Sequence, residues 1–209
     1  MLCYNRFGDD MEIIRFQLGN LKSNCYIVYE NKMAFIVDPG YEGPEVVDFI
    51  MKNELTVESI YLTHGHPDHV GGVKQIKDLF NPVVYAPEKD FIWMSNSMYN
   101  QIGYPIPIDI FVKDHDELNF IGKSFRVYET PGHSEGGTVL YGEHVIFSGD
   151  TLFYQSIGRT DIPFSNPQQI YQSIKKIYAT FDDDVIIYPG HGRSTTVDHE
   201  KKFNPFVRA

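Results

Sequence analysis

"YLTHGHPDHVGG", residues 61–72, places three histidines and an aspartate within six positions, His64 to His69, between an apolar run and two glycines. Imidazoles and a carboxylate crowded into one turn gain little from packing, and metal ligation is the chemistry that needs them together. His64 and His66 are two apart, and Asp68 and His69 follow at once. One small ion cannot take all four from so short a turn with tetrahedral geometry, so the stretch reads as part of two adjacent sites. Each ion then needs further donors from elsewhere in the chain.

The β-rich segments supply them. VESIYLTH runs into His64, RVYETPGH into His133, HVIFSGD into Asp150 and DVIIYPGH into His191. Three of these strand ends carry a glycine next to the ligand-type residue, which lets the backbone turn sharply and donors from separate strands converge at one sheet edge. The resulting assignment gives His64, His66, His133 and Asp150 to one ion, and Asp68, His69, His191 and Asp150 to the other, with Asp150 as the bridge. Nitrogen and oxygen donors without thiolate suit zinc, manganese or iron, whereas calcium and magnesium want all-oxygen shells. His115, His144 and His199 lack such a context and are left outside the set.

Around the ligand run the pattern is mixed. EIIRFQL (12–18), NCYIVYE (24–30) and MAFIVDPG (33–40) read as an antiparallel meander, with a tight hairpin at Asn31-Lys32. GPEVVDFIMKN reads as a helix, as does VKQIKDLF with Val73, Ile76, Leu79 and Phe80 on one face, followed by the strand PVVYAP. The second half repeats the theme with KSFRVYETPGH, GTVLYG, HVIFSGD and DVIIYPGH as strands. NPQQIYQSIKKIYATF is a helix with an Asn cap and Pro at its first position. Two β-rich halves with helices suggest two packed sheets covered by helices outside. Residues 93–111 (WMSNSMYNQIGYPIPIDIF) read as a long loop of the kind that borders a pocket or simply crosses the surface.

Composition narrows the function classes. The chain has 209 residues, 42% hydrophobic, which fits one domain spanning residues 1–209. Eighteen basic against twenty-eight acidic residues give a net charge of −10, a poor match for nucleic acid or anionic lipid. The start MLCYNRFGDD lacks a signal-peptide pattern, and no apolar run reaches bilayer length, so a cytoplasmic protein with a small-molecule substrate is expected. Cys3 and Cys25 are too few for a disulfide framework and read as reduced thiols, Cys25 packed in a strand.

The His-x-His-x-Asp-His run, followed in order by Gly-His133, Gly-Asp150 and Gly-His191, resembles the metallo-β-lactamase-fold hydrolases over essentially the whole chain. The resemblance implies an α+β architecture, an αβ/βα sandwich of two facing mixed sheets with helices on the outer faces and metals at one edge. It also implies that Asp38, in VDPG, supports the ligand loop from behind, although a plain turn aspartate is an equal reading. Antibiotic-hydrolysing members carry a cysteine where this chain has Asp150; flavo-diiron members replace His66 by a carboxylate; the nucleases add domains and a basic surface. "GDTLFYQSIGRTDIP" (149–163) and the ending "YPGHGRSTTVDHEKKFNPF" resemble compact bacterial glyoxalase II-like proteins.

That branch implies a binuclear hydrolase of a thioester or related activated acyl compound, with Asp68 orienting the attacking water and taking up a proton. The helical C-terminal domain that holds glutathione in full glyoxalase II enzymes has no counterpart here, nor do their lysine and tyrosine near residues 158–161. Arg159 is open to two roles, contact with an anionic substrate or a structural ion pair. Gly158-Arg159-Thr160-Asp161 also occurs in persulfide dioxygenases of the same fold, which keeps a mononuclear iron oxidoreductase as the alternative. The remaining rival is a non-enzyme with structural metals.

Overall fold

The computed structural model describes residues 4–7, 11–95 and 98–208, the first four as backbone only. The chain runs β1 (Tyr4–Phe7), β2 (Met11–Leu18), β3 (Ser23–Glu30), β4 (Met33–Val37), α1 (Pro44–Lys52), β5 (Thr56–Tyr61), α2 (Pro67–Val70), α3 (Val73–Phe80) and β6 (Val83–Pro87). A 3-10 turn (Glu88–Asp90) leads into α4 (Phe91–Met94) and then β7 (Ile110–Val112). The second half holds β8 (Glu117–Phe120), β9 (Lys123–Glu129), β10 (Thr138–Gly142), β11 (Val145–Gly149), the short β12 (Leu152–Phe153) and β13 (Ser156–Ile157), α5 (Pro167–Thr180), β14 (Ile186–Pro189), β15 (Thr195–Thr196) and α6 (Val197–Phe203).

These strands form two mixed sheets, ordered β1-β2-β3-β4-β5-β6-β7 and β15-β14-β11-β10-β9-β8, with β12-β13 as a separate ribbon. The expected meander is present as antiparallel β1 to β4, and β4, β5, β6 and β7 then run parallel. At the β3–β4 hairpin Asn31 and Lys32 both have positive φ, +48° and +69°, the pair of left-handed residues that a two-residue turn between twisted strands requires.

Alternation along each strand builds three apolar layers. Cys25, Ile27, Ala34, Ile36 and Ile60 face α1 and α3. Their neighbours Tyr26, Val28, Phe35, Val37 and Tyr61 face the second sheet, where they meet Phe120, Phe125, Val127, Leu140 and Phe147. Val139, Ile146 and Ile187 point the other way, onto Ile170, Ile174 and Ile177 of α5. This is the αβ/βα sandwich, each sheet covered by helices on its outer face. Phe35 is central to the middle layer, with ring centroids 4.8 Å from Phe120, 5.0 Å from Phe125 and 6.2 Å from Phe147.

Local signals explain most element ends. Asn166 caps α5 by accepting from the N–H groups of Gln168 (2.9 Å) and Gln169 (3.1 Å). In α3 the buried stripe is Val73 and Ile76 with Phe80 partly covered, and Leu79 is 57% exposed, contrary to the face expected from sequence. At 100° per residue Leu79 lies about 120° around the helix from Val73, outside the stripe. Residues 95–109 contain no strand or helix among those described, as the loop reading expected, but the stretch opens in α4 and closes in β7. Cys25 is fully buried, and Cys3 lies outside the described residues. Glu200 of α6 is buried and accepts from Gln155 N (2.9 Å), Thr195 Oγ1 (2.6 Å) and Asn204 Nδ2 (2.9 Å), which anchors the β12-β13 ribbon. No helix among the described residues is long and apolar enough to cross a membrane.

Phe35→Ala removes the ring on which the middle layer closes. We expect a loss of about 3–5 kcal/mol, measured by denaturant unfolding.

Candidate metal centre

The loop after β5 carries His64, and His66 stands immediately before α2, whose first turn holds Asp68 and His69. His133 follows β9, Asp150 follows β11, and His191 follows β14. Because β11 and β14 are parallel neighbours, with Gly149 opposite Pro189, the Asp150 and His191 turns leave the sheet side by side. Two glycines make the approach feasible. Gly149 has φ +47° and a Cβ there would fall 2.3 Å from Thr63 Oγ1, while a Cβ on Gly190 would fall 2.1 Å from Asp150 Oδ1. Across the gap between sheets, Asn24 Nδ2 (2.8 Å) and Tyr26 OH (2.7 Å) both donate to the Pro189 carbonyl, two residues before His191.

All seven residues meet at this edge. His64, His66 and His133 form one group with donor atoms within 4.8 Å of one another, and Asp68, His69 and His191 form a second. Asp150 lies between them: Oδ1 is 3.4 Å from His69 Nε2, and Oδ2 is 3.4 Å from His133 Nε2 and 3.5 Å from His191 Nε2. His66 Nδ1 and His133 Nε2 face each other at 2.9 Å. The donor set fits divalent metal ions, since His64 Nε2, His69 Nε2 and Asp150 Oδ1 are buried with no hydrogen-bond partner among the described residues. Burying that many unpartnered lone pairs is unfavourable unless a cation accepts them.

The far sides of the His64, His69 and His133 rings are held by hydrogen bonds that set their tautomers. His64 Nδ1 donates to Thr63 Oγ1 (3.0 Å), which donates to Asp38 Oδ2 (2.6 Å), and the same oxygen accepts from His69 Nδ1 (3.0 Å). Thr63 N donates to Asp38 Oδ1 (2.8 Å). Asp38 therefore steers one imidazole of each group and leaves both Nε2 atoms free to ligate. A third cluster, Asp38, His64 and His69, is this support rather than another site, because both Asp38 oxygens already accept hydrogen bonds. His133 Nδ1 donates to the Arg159 carbonyl at 2.8 Å.

One supporting residue had no sequence signal. Asp90 is fully buried and accepts from Gly65 N (3.0 Å), Ser134 Oγ (2.7 Å) and Gly136 N (2.6 Å), tying the His64–His66 loop to the turn after His133. Burial raises its carboxyl against those hydrogen bonds. Arg159, which sequence left between two roles, forms a double contact with Asp161, Nε–Oδ1 2.6 Å and Nη2–Oδ2 2.8 Å. Of the histidines set aside, His115 lies 3.5 Å from Asp114 and His199 stacks on Tyr154.

The protein groups alone already divide the histidines by charge. Burial, then the charges of His133 and His69, push His66 down to about 3, and burial likewise drives His64 far below the ordinary imidazole value. Burial also opposes charge on His69, but the carboxylates of Asp150, Asp38 and Asp68 outweigh it and raise it to about 10. Burial disfavours ionised Asp68, yet the His191 hydrogen bond and the charges of His69 and His191 hold its carboxyl well below the usual range.

Residues 18–191 match the description Metallo-beta-lactamase superfamily. The chain belongs to this superfamily. Among its relatives, the hydroxyacylglutathione hydrolase GloC of Haemophilus influenzae is 34% identical over 200 residues, covering 90% of this chain and 94% of that protein. Among solved structures, the B3 metallo-β-lactamase BLEG-1 superposes with a TM-score of 0.86 at 35% identity, covering 93% of this chain and 99% of that one. The di-iron-bound form of TTHA1623 gives 0.82 at 29% identity, covering 92% and 99%. The chain is thus a metallo-hydrolase of the metallo-β-lactamase superfamily.

Two outcomes follow for metal loading. Asp38→Ala and Asp38→Asn should each weaken metal affinity about 10- to 100-fold in a chelator competition, with Asp38→Asn retaining the fold. His69 keeps its extra proton below about 10 in protein stripped of metal, so loading should release protons near pH 7 and affinity should fall as pH falls. Calorimetry in buffers of different ionisation enthalpy reads the release directly.

Proposed function

We propose that the protein is a binuclear hydrolase of thioesters or related activated acyl compounds. His64, His66, His133 and Asp150 would hold one zinc ion, and Asp68, His69, His191 and Asp150 would hold the other. The observation that carries this reading is the pair of donor groups with one carboxylate between them: Asp150 is 3.4 Å from a nitrogen of each. A four-donor set rich in imidazole favours zinc, and the di-iron form of a similar structure makes iron the next candidate. The GloC relative supports the acyl-thioester class.

When bound, such a pair of ions supplies a nucleophilic water at neutral pH and polarises the substrate carbonyl. The chain supplies the rest. Asp68 borders a cavity of about 630 Å³ that also reaches His66, His133, Asp150 and His191. From there it orients the attacking water and accepts a proton as the tetrahedral species collapses. Asp38 and Asp90 hold the rings and loops in place, so little reorganisation accompanies the reaction. A thiolate leaves without a strong acid, which suits a cavity whose acidic lining residues are Asp68 and Asp150.

The likeness to BLEG-1 favours β-lactam hydrolysis as a second reading. An amide nitrogen must be protonated to leave, and beyond the donor set the lining offers only the phenols of Tyr41 and Tyr99 as acids among the described residues. The persulfide dioxygenase alternative needs one iron held by two histidines and a carboxylate, and it leaves the second donor group without a purpose.

Asp150→Ala should lose at least one ion per chain and about 100-fold or more in thioester turnover. Unchanged metal content and turnover would remove Asp150 from the site. Oxygen consumption with glutathione persulfide by iron-loaded protein, in the absence of thioester turnover, would replace this reading with the dioxygenase.

A further inference from the structure

Away from the donor atoms the cavity changes character. Apart from the donor residues, Arg159 is the one charged side chain lining it among the described residues, and that guanidinium is engaged by Asp161. The remaining wall is largely apolar and aromatic, including Tyr41, Trp93, Tyr99, Phe153, Ile157 and Ile162. Trp93 packs edge-on against His66 with centroids 4.5 Å apart, so the aromatic wall begins at the metal donors. It continues outward as a cluster of three rings: Trp93–Tyr99 5.4 Å, Trp93–Phe164 5.9 Å and Tyr99–Phe164 5.0 Å.

The cluster is held against a backbone cost. Phe164 has φ +62°, a conformation in which a side chain crowds its own carbonyl, and it is retained with the ring turned onto Trp93 and Tyr99. The ring is 41% exposed and backs Trp93 and Tyr99, the two members of the cluster that line the cavity.

We propose that the substrate beyond its scissile carbonyl is uncharged and apolar, an aryl or aliphatic thioester seated on the Trp93 and Tyr99 wall that Phe164 backs, and not a glutathione thioester. The proposal rests on the hydrolase reading above and names its substrate class. A glutathione thioester brings two carboxylates and an ammonium. Away from the donor residues and the ions they would hold, the lining offers those charges one cation, Arg159, already paired with Asp161, on a chain of net charge −10. An aryl or alkyl group instead meets rings whose edges and faces suit it.

Trp93 is the only tryptophan in the sequence and lines the cavity, so its fluorescence reports occupancy. Metal-loaded protein is titrated with two thioethers that cannot be hydrolysed, S-benzyl-N-acetylcysteamine and S-benzylglutathione. The neutral compound should bind at least tenfold tighter. Tyr99→Ala and Phe164→Gly, the latter also relieving the positive φ, should each weaken it about tenfold with metal content unchanged. Asp161→Asn, which frees Arg159, should improve binding of the glutathione compound alone. Tighter binding of S-benzylglutathione, or neutral-compound affinity indifferent to both ring variants, would overturn the proposal. Turnover of the matched phenylacetyl thioesters separates the two levels. Binding with the expected preference but no hydrolysis sinks the hydrolase reading and keeps the apolar preference, while hydrolysis that favours the glutathione ester sinks only the preference.

Discussion

Donor atoms from four separate stretches of chain have to meet at one edge of the molecule, and the architecture depends on that convergence. His64 to His69 arrive from the first sheet, and His133, Asp150 and His191 from the second, so the two sheets must be locked in one relative position. The aromatic layer around Phe35 does this from the middle, without directional contacts. Hydrogen bonds do it at the edge: Asn24 and Tyr26 reach across to the Pro189 carbonyl, and Thr138 N and Oγ1 both donate to the Thr63 carbonyl at 2.9 Å. Side-chain and backbone donors from both sheets, each received by a carbonyl of the other, thereby set where these turns stand.

Electrostatics explains why the edge is organised so tightly. Five imidazoles and two carboxylates in a buried volume cannot all keep their usual protonation, and the opposite shifts of His66 and His69 show the conflict. Divalent cations held by the two donor groups would resolve it, since they need neutral imidazoles and ionised carboxylates together. Asp38 and Asp90 act behind this arrangement. Each spends its carboxylate oxygens on orienting ligand rings or ligand loops, so the donors are aimed before any ion arrives.

The seven residues that meet at this edge are legible in the sequence because their signal is local: the His64 to His69 run is six residues long, and each of the other three sits beside a glycine at the end of a strong β-run. Sheets and helices were legible for the same reason, through apolar periods long enough to count. Elements of two residues, such as β12, β13 and β15, carry no period and were not foreseen. Val73, Ile76, Leu79 and Phe80 read as one apolar face from their spacing, although the angle of Leu79 around α3 takes it to solvent. Asp90 had no local signal at all. Its partners are 25 to 46 residues away, and only the folded chain brings Gly65, Ser134 and Gly136 to it. Arg159 shows the complementary limit, since sequence allowed two roles and the Asp161 contact is a matter of rotamer and turn.

The proposed pair of ions sharing Asp150 is tested most directly by elemental analysis of freshly purified, untagged protein expressed with zinc and iron both available. The expected result is about two divalent ions per chain, mainly zinc. About one ion per chain, with the Asp68, His69 and His191 group unfilled at saturating metal, would contradict it.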